Sequence, residues 1–249
     1  MSATPSTLHV NSEKLANTIH MLCLRVGERF PGSGLQRVCT DLYEISLSAE
    51  QDVLAISKPN YALRASVMLF IVVVLVTLAV TMSNLAIETK GLNVADVIQA
   101  SESAAQDAII IGAAVLFLTS IETRAKRHRV IAAINRLRSI AHVIDMHQLT
   151  KDPSAVLRDG PATVHSPKRE MSQFELNRYL DYCSEMVSLV SKVGFLYIQE
   201  FNDPQAVNAV NDLETLTNGL SVKMWQKIML LENASRQLGE AVSDEDSLL

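Results

Sequence analysis

At 249 residues the chain has room for one membrane unit and one modest soluble unit, and nine glycines, seven prolines and 5% aromatics argue against a sheet protein. Its net charge of −5 hides an asymmetry: between Glu122 and Arg138 six basic residues face one acid, a local +5 that leaves −10 on the remainder. That basic stretch holds no aromatic side chain to stack a base and abuts an apolar segment, which excludes nucleic acid as the partner.

The first 57 residues read as a short cytoplasmic helical hairpin. Asn11 or Ser12 can cap a helix with Leu15, Ile19, Leu22, Cys23 and Val26 on one face. Phe30-Pro31-Gly32-Ser33-Gly34 breaks it, and a second helix carries Leu35, Val38, Cys39, Leu42 and Ile45 on one side. A unit this small needs something to pack on. No apolar leader pattern occurs in the first 60 residues, so the first membrane helix is expected to act as its own insertion signal. Cys23, Cys39 and Cys183 show no metal or redox spacing and are expected as small buried hydrophobes with free thiols in a reducing compartment.

Ala65 to Ile87 is the strongest signal in the chain: 23 residues without a charge, bracketed by Arg64 and Glu88. As a helix it is roughly 34 Å long, enough to cross a hydrocarbon core of about 30 Å. Ala108 to Ile121 has only 14 uncharged residues, but counting back to Ala104 adds a single charge, Asp107, and the basic cluster follows directly. Both are predicted to cross, giving a two-helix transmembrane hairpin over 61–121 with a short external loop at 88–107. Lys58, Arg64 and the cluster from Arg124 favour both termini inside, in a plasma or inner membrane.

Beyond the membrane the second helix is predicted to continue as a basic stalk over 122–150. Val130, Leu137 and Ile144, with Ala133, Ile140 and His147, form a coiled-coil-like stripe. Residues 151–171 read as a linker with three prolines. Ser172 and Glu175 form a capping box opening a helix with Leu176, Leu180, Cys183, Val187, Val190, Gly194, Tyr197 and Phe201 on one face. Asp203-Pro204 starts another, with Val210, Leu213, Thr217, Leu220, Met224, Ile228 and Leu231 on one side and a weak point at Asn218-Gly219. This antiparallel pair is expected over 172–238, and 239–249 as an acidic disordered tail. The fold class is thus all-α, a transmembrane hairpin with a cytoplasmic helical bundle and a coiled-coil-like stalk.

The chemistry-bearing patterns are few. His142 and His147 lie 140° apart around a helix and cannot chelate one ion, and no nucleophile, phosphate-loop or dinucleotide motif occurs, so no catalytic residue, metal or cofactor is assigned. Thr77, Thr81 and Asn84 share one face of the first membrane helix, and Ala108 and Gly112 form a small-xxx-small pair with Thr119 two turns further on. Helix–helix packing is the expected use of this polar face. A pore with Glu102 and Asp107 at its mouth is the alternative. Arg124, Lys126, Arg127 and Arg129 set topology and are candidate contacts for lipid head groups. Met224 lies on the apolar stripe, so burial is expected there and at Trp225, against an exposed partner groove formed with Lys227 and Met229.

The plan resembles that of two-transmembrane bacterial effector and anchor proteins, a likeness of architecture that carries over no residues. The expected function is a non-enzymatic membrane anchor, scaffold or interaction module that binds the lipid bilayer, a cytoplasmic protein and further copies of itself. The alternative is an oligomeric two-helix channel or membrane-disrupting effector gated by the bundle.

Overall fold

The computed structural model describes residues 9–58, 61–87, 94–151, 153, 164–165 and 171–246. Among them every regular element is a helix: α1 Ser12–Arg29, α2 Gly34–Ser57, α3 Tyr61–Ile87, α4 Val94–Leu149, α5 Gln173–Glu200 and α6 Pro204–Asp246. They divide into two compact units, Lys58–Arg129 on one side and Met1–Ser57 with Val130–Leu249 on the other.

The caps fall where the side chains demand. Asn11 Oδ1 accepts the Lys14 N–H at 2.9 Å and starts α1. At the break, Gly32 takes a φ of +69°, a left-handed conformation that a Cβ would penalise. Ser33 Oγ then accepts the Gln36 N–H at 3.1 Å and opens α2. The Ser172–Glu175 capping box is present with both of its bonds. Asp203 Oδ1 accepts from the N–H groups of Gln205 and Ala206, with Pro204 in the first turn where its missing N–H costs nothing.

Three boundaries differ from expectation. The expected loop at 88–107 is cut short because α4 already begins at Val94: no glycine or proline stands between Gly91 and Gly112, and the intervening alanines, serines and glutamines tolerate a helix. α6 runs unbroken past Asn218-Gly219, since a single exposed glycine costs only about 1 kcal/mol in a helix held by its buried face. It also continues to Asp246, beyond the expected start of the tail, because no proline intervenes. Most of the linker at 151–171 lies outside the described residues.

The bundle unit is built around α5. Its buried stripe, joined by Tyr179, Met186, Leu189 and Val193, packs against α1, α2 and α6. The α1–α2 hairpin therefore finds on α5 the partner its small size requires. One continuous core joins Leu22, Leu42, Val130, Leu137, Ile144, Val190, Leu213 and Met224.

The stalk stripe is thus covered from within the chain. Val130, Ala133, Leu137 and Ile144 are at most 1% exposed. Gly194 is what lets α6 approach α5: a Cβ there would stand 2.8 Å from Leu213 Cδ2, with methyls of Ile134 and Leu137 on α4 in ordinary contact at 3.6 and 3.8 Å. A heptad stripe needs an apolar partner, and here α5 and α6 supply it.

Cys23 and Cys39 form a disulfide between α1 and α2, with Cα atoms 5.4 Å apart. This corrects the expectation of three free thiols: both residues sit on the facing stripes of one hairpin, at comparable distances from its turn. Cys183 remains free and buried, and burial pushes its thiol up to about 12.

Candidate functional site

The unit Lys58–Arg129 carries the candidate membrane residues. Along α3 the side chains of Met68, Leu69, Val73 and Leu75 are exposed, and so are Ile109, Ile110, Leu116 and Phe117 on α4. Continuous apolar exposure of this kind marks an interaction surface, for a membrane or for another protein. The helix segment Ala108–Leu149 is long and apolar enough to cross a membrane, with none of its most apolar window buried. On α3 the described apolar stretch Ala65–Thr77 is shorter than a crossing.

Thr77 is exposed, and its hydroxyl donates to the carbonyls of Val73 and Val74 at 3.0 and 2.8 Å. That back-bonding satisfies an alcohol within its own helix. Gly112 has no neighbouring atom within 4 Å of an added Cβ. The helical backbone at Thr81, Asn84 and Thr119 is described, but their side chains lie outside the described residues, as does that of Asp107.

The four basic candidates separate by environment. Lys126 is drawn into an ion pair with Glu122 at 2.9 Å, one turn away, and donates to the Lys58 carbonyl at 3.1 Å. Arg127 is half-buried, whereas Arg124 and Arg129 are exposed.

In the bundle, α5 and α6 frame an open groove of about 550 Å³ with mainly apolar walls. Asp181, Glu185 and Leu189 lie on one side, and Val222, Trp225 and Ile228 on the other. The small side chains of Ser184, Ser188 and Ser221 leave the space. Trp225 is 62% exposed, against the expectation of burial; Met224 alone fills the core. One residue is 100° around a helix, so a neighbour of a stripe position points elsewhere.

A second depression of about 270 Å³ continues the pattern towards the start of α5, lined by Phe174, Asn177, Leu231 and Glu232 among others. Asn177 Oδ1 is buried there without a hydrogen-bond partner among the described residues. Glu185 is paired with Arg25 at 2.7 Å and Asp181 with Arg178 at 3.2 Å. Partial burial holds the Asp181 carboxyl above its ordinary range despite Arg178, with Glu185 and Glu232 adding to the effect.

Sequence reasoning missed the polar junction at the end of α4. Lys227 Nζ donates to the Gln148 carbonyl at 2.9 Å, to Gln148 Oε1 at 2.6 Å and to the Lys151 carbonyl at 3.4 Å. A cation from α6 thereby satisfies carbonyls that the last turn of α4 leaves open. His147, one residue earlier, stands over Gly34, where an added Cβ would overlap the imidazole ring. Burial first, then Arg37 and Lys151, lower its pKa. Asp145, the third residue of that polar group, accepts from Gln148 Nε2 at 2.6 Å.

No protein family, curated protein or solved structure matches the chain.

Proposed function

We propose that this chain is a non-enzymatic integral membrane protein that crosses the bilayer twice, through Ala65–Ile87 and the apolar part of α4, and uses its helical bundle to bind a partner protein. The observation that carries this reading is the continuous exposure of Met68, Leu69, Val73, Leu75, Ile109, Ile110, Leu116 and Phe117 within the unit Lys58–Arg129. In hydrocarbon these side chains need no cover. Arg124 and Arg129 then meet lipid head groups at the inner surface, and the polar face of Thr77, Thr81 and Asn84 serves contacts between membrane helices.

The Lys/Arg bias puts both termini in the cytoplasm. In that reducing compartment the Cys23–Cys39 bond would stay open, so its state in cells reports orientation: a closed bond in unstressed cells argues for the opposite topology.

Reconstitution tests the reading. The purified chain mixed with dye-loaded liposomes should float with the vesicles and leave the dye inside. A chain that stays in the dense fraction overturns membrane insertion. Flotation accompanied by dye release favours the channel alternative.

A further inference from the structure

We propose that the α5–α6 groove is the docking site for an amphipathic helix of a partner protein, one that flanks its apolar face with lysine or arginine. The inference rests on the interaction reading above and names the chemistry of the partner.

Shape favours a helix over a small ligand. Val222, Trp225 and Met229 fall at i, i+3 and i+7 on α6 and are 55%, 62% and 46% exposed. They form a ridge beside the groove floor of Leu189 and Ile228, which are buried. A molecule seated in the groove alone reaches Val222 and Trp225 and leaves Met229 wet. A helix laid along it covers ridge and floor together, the arrangement of helix-in-groove recognition. Between Gln173 and Ser188 the two depressions span about 22 Å of α5, some four turns of a docked helix.

Charge fixes the rest. Among the described residues, every charged side chain lining the two depressions is an acid: Asp181, Glu185 and Glu232. Arg25 and Arg178 reach two of them without joining the lining. The buried Asn177 Oδ1 adds an acceptor without a donor among the described residues. Carboxylates and an amide oxygen call for N–H donors, which lysine and arginine supply from a flexible stem over an apolar contact. A second copy is the poorer occupant: in the chain's own basic stretch Lys126 is engaged by Glu122, Arg136 by Asp52 and Arg138 by Asp212, the exposed Arg124 and Arg129 are the residues proposed to meet head groups, and the apolar neighbours Val130 and Leu137 are buried.

Trp225 is the only tryptophan, so its fluorescence reports this groove alone. The full chain in phosphatidylcholine nanodiscs is titrated with a tryptophan-free peptide of leucine and lysine at helical spacing, and with its twin carrying glutamate for lysine. The lysine peptide should shift Trp225 emission to the blue with saturation. D181N/E185Q should weaken it about tenfold or more. N177L should weaken it several-fold, with circular dichroism showing both variants folded. If the glutamate peptide binds equally, the cationic assignment is wrong and the interaction reading stands. If neither peptide moves Trp225, both fall. Emission already blue-shifted without peptide, in a manner that depends on protein concentration, assigns the groove to a second copy and overturns the proposal.

Discussion

Leu137→Ala separates the two roles open to the stalk stripe. In the structure Leu137 is fully buried, and its Cδ1 lies 3.8 Å from the point where a Cβ on Gly194 would stand. Truncation to alanine loses the transfer free energy of the missing atoms and leaves a cavity, at about 2–5 kcal/mol. Buried Ile134 and Leu213 converge with Leu137 on Gly194 and limit the collapse of the site. The cost should therefore fall near the middle of that range, about 3–4 kcal/mol. For a unit of this size each kcal/mol lowers the melting temperature by about 2–4 °C, so the loss is on the order of 10 °C. Thermal unfolding of the full chain in micelles by circular dichroism, with light scattering in parallel, reads both outcomes. A variant that keeps its melting temperature while an assembly dissociates would refute the intrachain core and restore the stripe as a seam between copies.

Lys227→Met should cost about 1.5–3 kcal/mol, because Gln148 is buried and its acceptors lose a charged donor; an unchanged denaturant midpoint contradicts this. Gly34→Ala should destabilise the bundle by about 1–3 kcal/mol by forcing His147 aside, and proton NMR should report a displaced imidazole resonance. His147 has a folded pKa below its unfolded value of 6.5, so its contribution is present above that pH and fades as pH falls through it. His147→Gln should flatten that part of the stability profile; an identical slope assigns the effect elsewhere. Purified protein oxidised in air, then denatured without reductant, should show one reactive thiol, and reduction should expose three and lower stability by about 3 kcal/mol for a 16-residue separation. Three reactive thiols before reduction would reinstate the free-cysteine reading.

Local chemistry was the most legible part of this fold. Asn11, Ser172 and Asp203 announce their helices because a short acceptor just before an apolar period has few other uses. The stripe on α5 was readable for the same reason. Partners were not: periodicity says that Val130, Leu137 and Ile144 need an apolar cover, but not whether a second chain or α5 provides it. The start of α4 at Val94 was hidden because alanine, serine and glutamine are compatible with loop and helix alike. Trp225 was readable in principle, since the step from Met224 carries it 100° off the buried stripe. The Lys227–Gln148 junction depends on where two distant helix ends meet, and no local pattern encodes it.

The exposed apolar helices are proposed to lie in a bilayer. Val73 and Val76 are 52% and 56% exposed on α3, a position with opposite consequences in water and in lipid. If α3 spans the membrane, arginine at each costs about 2.5–3.5 kcal/mol of insertion. If α3 is a solvent-exposed helix, the same changes are harmless or improve solubility. The measurement is the fraction of chain released from cell membranes by alkaline carbonate, for the parent and for V73R/V76R. The parent should stay in the pellet and the variant should move to the supernatant or fail to accumulate; a parent released in full, with the variant equally abundant, would contradict the account.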